Sequence, residues 1–581
     1  MMKQLLNICI LLLSVVCIGH SCTSSETKKI ASADTDSISK KWWKEAVVYQ
    51  IYPRSFKDTD GDGIGDIKGI TSKLDYIKSL GVDAVWLNPI YSSPNDDNGY
   101  DISDYRNIMK EFGTMQDFDA LLKGMHERKI KLVMDIVVNH SSDEHEWFKQ
   151  SRSSRTSPYR DYYHWWNADR GKPAYRYSLF DINHDAWKYD SLTNAYYLHY
   201  FSRKQPDLNW ENPKLRQEIF DMMKFWADKG VDGFRLDAFG FAAKDTTFPA
   251  WPAGYENDFM KYYAMGPHLH DYLKEMNAAV FSKYDVMAVA EGTGNTMVDA
   301  HNLVDADRNE LNMAYAFEAV DIAKKDGYSL LHFKQVFTKW DSAFADKGWL
   351  AIFLANHDQA RLVSRFGNDK PAFRDLSSKM LTTFLMSMRG TPYYYNGDEL
   401  AMTNAGFNKI EDYNDVATLN EYQHQKNIGG NLNKFMENVM FSCRDNGRTP
   451  MQWDSSAGAG FTTGVPWLKI NPNYTSINVA SQEKDAGSCL NYFRKMVKLR
   501  KENPVLIYGA YTLLDKNNPD VYAYTRNLAG KKFLVLLNFT NKNATVNTGL
   551  NISKAKILIS NYNTLSITDT LKPYEAAVIE L

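Results

Sequence analysis

Short apolar runs recur from Val47 to Glu399, separated by stretches in which apolar residues return every three or four positions. The runs are VVYQIY, DAVWLNP, KLVMDIVVNH, DGFRLDA, DVMAVAEG, LNMAYAFE, WLAIFLANHD and TPYYYNGDE. They predict eight strands. Between several of them lie amphipathic helices, of which FDALLKGMHERK and RQEIFDMMKFWADKG are the clearest. Strands and helices alternating in this number predict an α/β chain closed into a parallel barrel of eight strands.

The polar interruptions are more informative than the apolar runs. Asn88, Asn139, His140, Asp237, Glu291, His357 and Asp358 fall at the C-terminal ends of their strands. That is the face on which such barrels carry their chemistry. In GFRLDAFG, Arg235 and Asp237 are two apart, so a strand points both the same way. Two charges directed into a core are costly unless well paired; at the mouth of a pocket they are usable.

The rest of the pattern divides the chain. Residues 42–140 form the first part of the barrel and 213–503 the second. Between them, 141–212 is a Trp- and Tyr-rich irregular stretch with no single crossover helix, long enough to be an inserted subdomain and, at that length, functional. After a helix near Leu490 to Glu502 the periodicity changes to two, in VYAYTR, KKFLVLLNF and AKILIS. Residues 504–581 are therefore expected to form a C-terminal antiparallel β-sandwich.

Composition narrows the class. A chain of 581 residues holds two or three domains. Its 68 Lys and Arg against 70 Asp and Glu give a net charge of -2, which favours neither nucleic acid nor an anionic membrane. The excess is aromatic, with 14 Trp, 35 Tyr and 29 Phe, rings that suit sugar faces as well as large cores. At the N-terminus, Lys3, an apolar run from Leu5 to Ile18 and small residues before Cys22 resemble a bacterial lipoprotein signal over 1–22, followed by a polar tether over 23–41. The expected location is the periplasm or the outer membrane, with an uncleaved anchor and plain secretion as the alternatives. Past this leader only Cys443 and Cys489 remain, too few for a disulfide framework.

Three carboxylates, Asp237, Glu291 and Asp358, end separate strands and converge on one mouth. Two carboxyl groups facing a glycosidic bond are the minimum for its hydrolysis, one attacking or activating water and one protonating the leaving oxygen. A third can steady a cationic transition state. Arg235 would hold Asp237 ionised, and the apolar run before Glu291 favours a protonated acid there.

The blocks VYQIYPRSF, NDDNGYDISDYRNI, DIVVNHSSDEHEWF, QPDLNWENP, GFRLDA, ELNMAYAFE, NHDQARLVSRFGND, RDNGRTPMQWD and NPNY stand in order from Trp42 onward. Together they resemble glycoside hydrolase family 13, the alpha-amylase superfamily, in its oligo-1,6-glucosidase and alpha-glucosidase group. The resemblance implies a TIM barrel in which Asp237 is the nucleophile, Glu291 the general acid/base and Asp358 the transition-state stabiliser of a retaining double displacement. It places Tyr100, Asp101, His140, Arg235 and His357 around the non-reducing glucose and Arg448 at the entrance. It implies removal of one terminal glucose from a malto- or isomalto-oligosaccharide, with no organic cofactor.

DTDGDGIGD offers a second site. Asp58, Asp60, Asp62, Asp66 and the carbonyl of Ile64 resemble most of a calcium loop, although the usual twelfth acidic position is Gly69. Relatives with this loop bind structural Ca2+ or sometimes Mg2+; the alternative is a Gly-rich turn. On linkage two residues disagree, Gln205 matching the α-1,6 pattern and Ala238, after the nucleophile, the α-1,4 pattern. The expectation is α-1,4 cleavage with tolerance of α-1,6. FGFAAK, EGTGNT and Ala360 depart from the group near the leaving-group side. A transglucosylase or isomerase acting on maltose or sucrose would use the same three carboxylates, and a non-catalytic sugar-binding or transporter-associated relative would have lost them.

Overall fold

The structure, a computed structural model, describes residues 40–581 except 553–554, 563–565 and 567. The leader and all but the end of the tether lie outside the described residues. Among those described, no helix is long and apolar enough to cross a membrane.

Eight strands close the barrel: β1 Val48–Ile51, β2 Ala84–Leu87, β3 Lys131–Val137, β4 Gly233–Asp237, β5 Met287–Ala290, β6 Met313–Tyr315, β7 Leu350–Ile352 and β8 Thr391–Tyr395. Each pairs in parallel with its sequence neighbours, and β8 pairs with β1 to complete the ring. All eight predicted strands are present, trimmed to the part that pairs. The strands are almost wholly buried because helices cover their outer face and side chains fill the interior. Trp86, Val133, Met287, Val289, Met313, Tyr315 and Tyr393 form that inner filling.

Local sequence explains the helices that hold the barrel. Met115–Glu127 starts at a capping box in which Thr114 and Asp117 satisfy each other's backbone N–H groups. Pro213–Asp228 starts with Asn212 capping and Pro213 in the first turn, and buries Leu215, Ile219, Phe220, Met222, Met223, Trp226 and Ala227 on one stripe. Trp226 also donates its indole N–H to the Tyr105 carbonyl at 2.9 Å, which locks the helix against the loop after β2.

The segment between β3 and this helix has more structure than its sequence suggested. It holds the helix Glu146–Ser153 and a three-stranded antiparallel sheet of Trp165–Asn167, Ala195–Leu198 and Trp187–Asp190. Strands of three and four residues are too short to show a period. After β8, helices Val416–Asn427 and Leu432–Ser442 rise beside the C-terminal mouth of the barrel, each burying a single residue, Thr418 and Val439.

The C-terminal region is antiparallel, as expected. Ala510–Leu514, Val521–Leu528, Lys531–Asn538, Ala576–Glu580 and Lys556–Ser560 form one sheet in that order. A two-stranded sheet of Ala544–Thr545 and Thr570–Leu571 packs on it through Val521, Leu534, Leu536, Val546 and Leu571. The opposite face, including Tyr522, Tyr524 and Phe533, joins the main core around the barrel.

Candidate active site

Strand register assembles the central charge cluster. β3 and β4 pair with Asp135 opposite Arg235 and Val137 opposite Asp237, while Arg235 lies opposite Val289 of β5, two residues before Glu291. The Arg235 Nη1 donates to Asp135 Oδ1 at 2.8 Å and to Asp237 Oδ1 at 2.5 Å, and its Nη2 donates to Glu291 Oε1. Its guanidinium lies 5.1 Å from the centre of the Trp86 ring. Asp135 is satisfied on its other oxygen by the Tyr100 hydroxyl at 2.9 Å and the Trp86 indole at 3.2 Å. One buried cation thus serves three carboxylates, and the remaining lone pairs of Asp135 are hydrogen-bonded, the condition under which buried charge is tolerated.

The chain turns sharply after Asp237. Ala238 adopts a left-handed backbone with φ of 46°, which costs a non-glycine residue about 1 kcal/mol or more. The turn aims the Ala238 N–H at Glu291 Oε2, 2.7 Å away. Both oxygens of Glu291 are therefore held. Burial, and then the charge of Glu291, pushes Asp237 above the ordinary carboxylate range. Burial pushes Glu291 up as well, with Asp358 adding to it and Arg235 opposing. Two such groups on one guanidinium resist carrying full charge together, so each holds a proton more tightly than a free carboxylic acid does.

Asp358 is the opposite case. Burial opposes its ionisation, yet His357, Arg444 and Arg448 hold it below the ordinary carboxylate range. Burial also keeps His357 neutral, which leaves the two arginines as the charges responsible. Arg444 Nη1 and Arg448 Nη2 reach Asp358 Oδ1 at 3.1 and 2.9 Å. Gln50 stands 2.8 Å from His357 Nδ1 and donates to it, which leaves the ring proton on Nε2 facing Tyr100 and Asp358.

Above these groups opens a pocket of about 360 Å3. Asp237, Glu291, Asp358, Tyr100, His140 and Ala238 all line it. Arg235 and His357 do not; they lie beneath the floor and orient what does. Gln205 is also behind the wall, donating to Asp97 Oδ2 and standing beside His140 Nε2, each at 3.1 Å. Burial lowers His140 to about 3, so it is a neutral donor or acceptor.

Two expected positions are corrected. Asp101 does not face the pocket; its carboxylate is buried under the preceding loop, taking the Ser93 hydroxyl at 2.9 Å and the Asp96 and Asp97 amides at 2.9 and 3.1 Å. Asp97 lines the pocket in its place, presented by a turn through Asn98 and Gly99 with φ of 49° and 104°. Arg448 is not at the entrance either. It lies under Asp358 with its Nε donating to the His357 carbonyl at 2.9 Å, and Arg444, one helical turn earlier in RDNGR, reaches the pocket.

The other side chains that the sequence reading missed follow from these. Arg444 ties Asp97 at 3.1 Å, Asp358 at 3.1 Å and Asp415 into one group. Phe180 and Phe201 of the inserted segment supply apolar walls. The spacing of Arg444 and Arg448, and a lone aspartate inside KLVMDIVV, were the available signals.

The loop after β1 carries a separate cluster. Oxygens of Asp58, Asp60 and Asp66 lie within 4.8 Å of one another. Asp58 is buried yet held below its ordinary value by the Thr462 hydroxyl and the amides of Gly61, Gly63 and Asp60. Gly63, which donates its N–H to Asp58, lets the loop lie against Val465, since a Cβ there would fall 1.8 Å from the Val465 carbonyl oxygen. Converging carboxylate oxygens fit a hard divalent cation. Asp62 stands outside the trio and accepts the Ile64 N–H at 2.7 Å.

Comparison with known proteins agrees with this geometry. The alpha-amylase catalytic domain matches residues 50–509. An oligo-1,6-glucosidase of Parageobacillus thermoglucosidasius is 49% identical over 561 residues, 93% of this chain and 99% of that one. Among solved structures, the trehalulose synthase MutB of Pseudomonas mesoacidophila MX-45 superposes with a TM-score of 0.89 at 44% identity, covering 93% and 99% of the two chains. An isomaltulose synthase of Klebsiella sp. LX3 gives a TM-score of 0.89 at 43% identity, covering 94% and 100%. The chain belongs to the alpha-amylase family of glycoside hydrolases, in its oligo-1,6-glucosidase and α-glucosidase group.

Proposed function

We propose that the protein is an exo-acting, retaining α-glucosidase that releases glucose from the non-reducing end of short α-glucans. The observation that carries this is the shared guanidinium: Asp237 and Glu291 are bonded to two nitrogens of Arg235. Carboxylates gathered so closely suit the roughly 5–5.5 Å separation of retaining glycosidases rather than the wider spacing of inverting ones.

In this reading Asp237 attacks the anomeric carbon while Glu291 gives its proton to the leaving oxygen. Water then enters beside Glu291, loses a proton to it and frees the sugar from Asp237. Asp358, ionised by its arginines, stabilises the positive charge that develops on the ring. Asp97, Arg444, His140 and Tyr100 grip the hydroxyls of the terminal glucose, and the ion pairs of Arg444 with Asp97, Asp358 and Asp415 fix that wall of the pocket.

The oligo-1,6-glucosidase relative supports cleavage of α-1,6 linkages alongside the α-1,4 preference read from Ala238. Asp58, Asp60 and Asp66 would hold Ca2+ or Mg2+ in a structural role, its positive charge offsetting their mutual repulsion. Export as a lipid-anchored protein belongs to the same proposal and rests on the leader sequence.

The test is glucose release from maltose, isomaltose, sucrose and trehalose by wild type and Asp237→Asn. Glucose as the main product, lost in the variant, supports the hydrolase. New disaccharides with little glucose would instead establish an isomerase, the activity named for the two solved relatives.

A further inference from the structure

The chain enters the barrel at the end opposite the glucose pocket. Trp42–Glu45 forms one helical turn, Val48 opens β1, and the segments leading into β2 and β3 bring Asp83, Lys129 and Lys131 to the same end. Between these residues and Lys501, Pro504 and Ile507 lies a groove of about 460 Å3. Lys40 lines it, and seventeen residues separate Lys40 from Cys22. A link of that length, even fully extended, reaches no more than about 60 Å. Whatever holds Cys22 therefore stays close to this end of the barrel.

The groove and its rim are basic. Its carboxylates are already engaged. Asp83 takes the Val47 N–H at 3.0 Å and the Lys501 ammonium at 2.5 Å, and Glu45 accepts the Tyr508 hydroxyl at 3.1 Å. Lys131 is bound to Asp232 at 2.7 Å, behind the groove. Lys40, Lys41 and Lys129 are left with no carboxylate partner among the described residues. Lys44 adds a fourth cation, lying 5.4 and 5.0 Å from the centres of the Trp43 and Trp349 rings. Burial, and then the charge of Lys41, lowers the Lys44 ammonium below its ordinary value, as like charges in one place must. The net charge of -2 for the whole chain averages this local excess away.

Apolar surface lies beside the charge. Ala46 and Ile507 are buried, while Trp42 is half-buried and Pro504 exposed. The Lys131 ammonium stands 4.8 Å from the centre of the Trp42 ring. Lysine with tryptophan is the pairing that suits a lipid–water boundary, the ammonium meeting headgroup phosphates and the indole lying at their depth. Basic side chains held near such a surface are drawn to anionic lipid.

We propose that this end of the barrel is a docking surface for anionic phospholipid, with headgroup phosphates at Lys40, Lys41 and Lys129. The proposal rests on the lipid-anchor reading above. Two weak attachments then act together, since a chain tethered at Cys22 meets the bilayer at a high local concentration. The orientation follows from the barrel. Its strands run away from this end, so the mouth bounded by Asp237, Glu291 and Asp358 points away from the membrane, and oligosaccharides reach it from solution.

The experiment sediments the chain from residue 22 onward, carrying Cys22→Ser so that no lipid is attached and every described residue is kept. The vesicles are phosphatidylcholine alone or equal parts phosphatidylglycerol and phosphatidylcholine. Binding to the anionic vesicles should exceed binding to the neutral ones by about tenfold or more, and should fall as salt rises from about 0.1 M to about 0.5 M. Lys40→Glu with Lys41→Glu, and separately Lys129→Glu, should each weaken it by about fivefold or more. Lys426→Glu, at the exposed end of a helix beside the opposite mouth, should change it by less than about twofold. Glucose release and Tm should be unchanged in all of them, which shows that they fold. Equal binding to both kinds of vesicle, or an effect of Lys426→Glu as large as the others, overturns the docking surface and leaves the anchor standing. Absence of lipid on Cys22 when the full chain is exported overturns the anchor, and with it the membrane as the occupant of this surface.

Discussion

Asp135 and Arg235 stand opposite each other on neighbouring barrel strands, and their side chains meet at 2.8 Å with almost no exposure on either. The pair is the anchor from which Arg235 reaches the two reacting carboxylates. Asp135→Asn removes one charge and keeps the shape. It should cost about 3–5 kcal/mol in unfolding free energy, because the cation stays buried with one fewer counter-charge. Activity should fall by roughly tenfold to a hundredfold as Arg235 shifts toward Asp237 and Glu291. Denaturant unfolding and kcat on one substrate check both; full activity with full stability would refute the anchoring role.

With Asp237 as nucleophile and Glu291 as proton donor, kcat/KM should follow a bell-shaped profile against pH. Activity rises as Asp237 loses its proton and falls as Glu291 loses its own. Burial raises both groups, so both limbs should lie above the ordinary values of about 3.9 and 4.3 for free Asp and Glu. Glu291→Gln should abolish the alkaline limb and lose on the order of 10²–10⁴ in rate on disaccharides. It should lose much less on an aryl glucoside, whose leaving group needs little protonation.

Arg444 holds Asp97, Asp358 and Asp415 together. Arg444→Met should leave Asp97 without its arginine and Asp358 and Asp415 with Arg448 alone, raising Asp358 toward the normal range and lowering kcat/KM at least a hundredfold or so. Asp97→Asn should act mainly on KM. The double variant should lose less than the product of the two singles, because the groups share one contact. Strict additivity in a double-mutant cycle would show that they act separately.

His145 supplies a pH switch in stability. Its Nδ1 accepts the Trp147 N–H at 3.0 Å and caps the helix Glu146–Ser153. Burial lowers its pKa to about 4, whereas in the unfolded chain it is about 6.5. A histidine whose folded pKa is depressed contributes stability that is complete above the unfolded value and is lost as pH falls toward the folded one. Between about pH 6.5 and 4 the loss should reach on the order of 3 kcal/mol. Asn is a good cap that does not titrate, so His145→Asn should make this part of a Tm against pH curve shallower, with the buried His140 and His357 keeping the rest of the slope. An unchanged slope would place the acid sensitivity elsewhere.

In the Asp58 loop, added Ca2+ should raise Tm in wild type, and chelation should lower it, with glucose release nearly unaffected at low temperature. Asp60→Asn should remove the response to Ca2+. Asp58→Asn should also destabilise the metal-free protein by about 1–3 kcal/mol, because its carboxylate satisfies three backbone amides.

The barrel was legible because its information is local. Each strand is a short apolar run, and Asp237, Glu291 and Asp358 are marked by standing at or beyond the C-terminal end of one. Asp135 was equally legible, as a charge inside an apolar run like Arg235, but it lies within its strand and not at the end where the reacting carboxylates stand. The inserted sheet and the helices Val416–Asn427 and Leu432–Ser442 were not, since strands of three or four residues and helices that bury one side chain carry almost no periodicity.

By itself, then, the chain's pattern determined the architecture and which carboxylates gather at one mouth, because periodicity and strand ends are properties of neighbouring residues. Only the tertiary structure decided between Asp97 and Asp101, and between Arg444 and Arg448. Asp97 and Arg444 are 347 positions apart and meet at 3.1 Å because the barrel closes and one turn past Asn98 swings a carboxylate outward. No local pattern encodes that meeting, since it depends on the register of strands and on loops that approach each other only once the ring is complete.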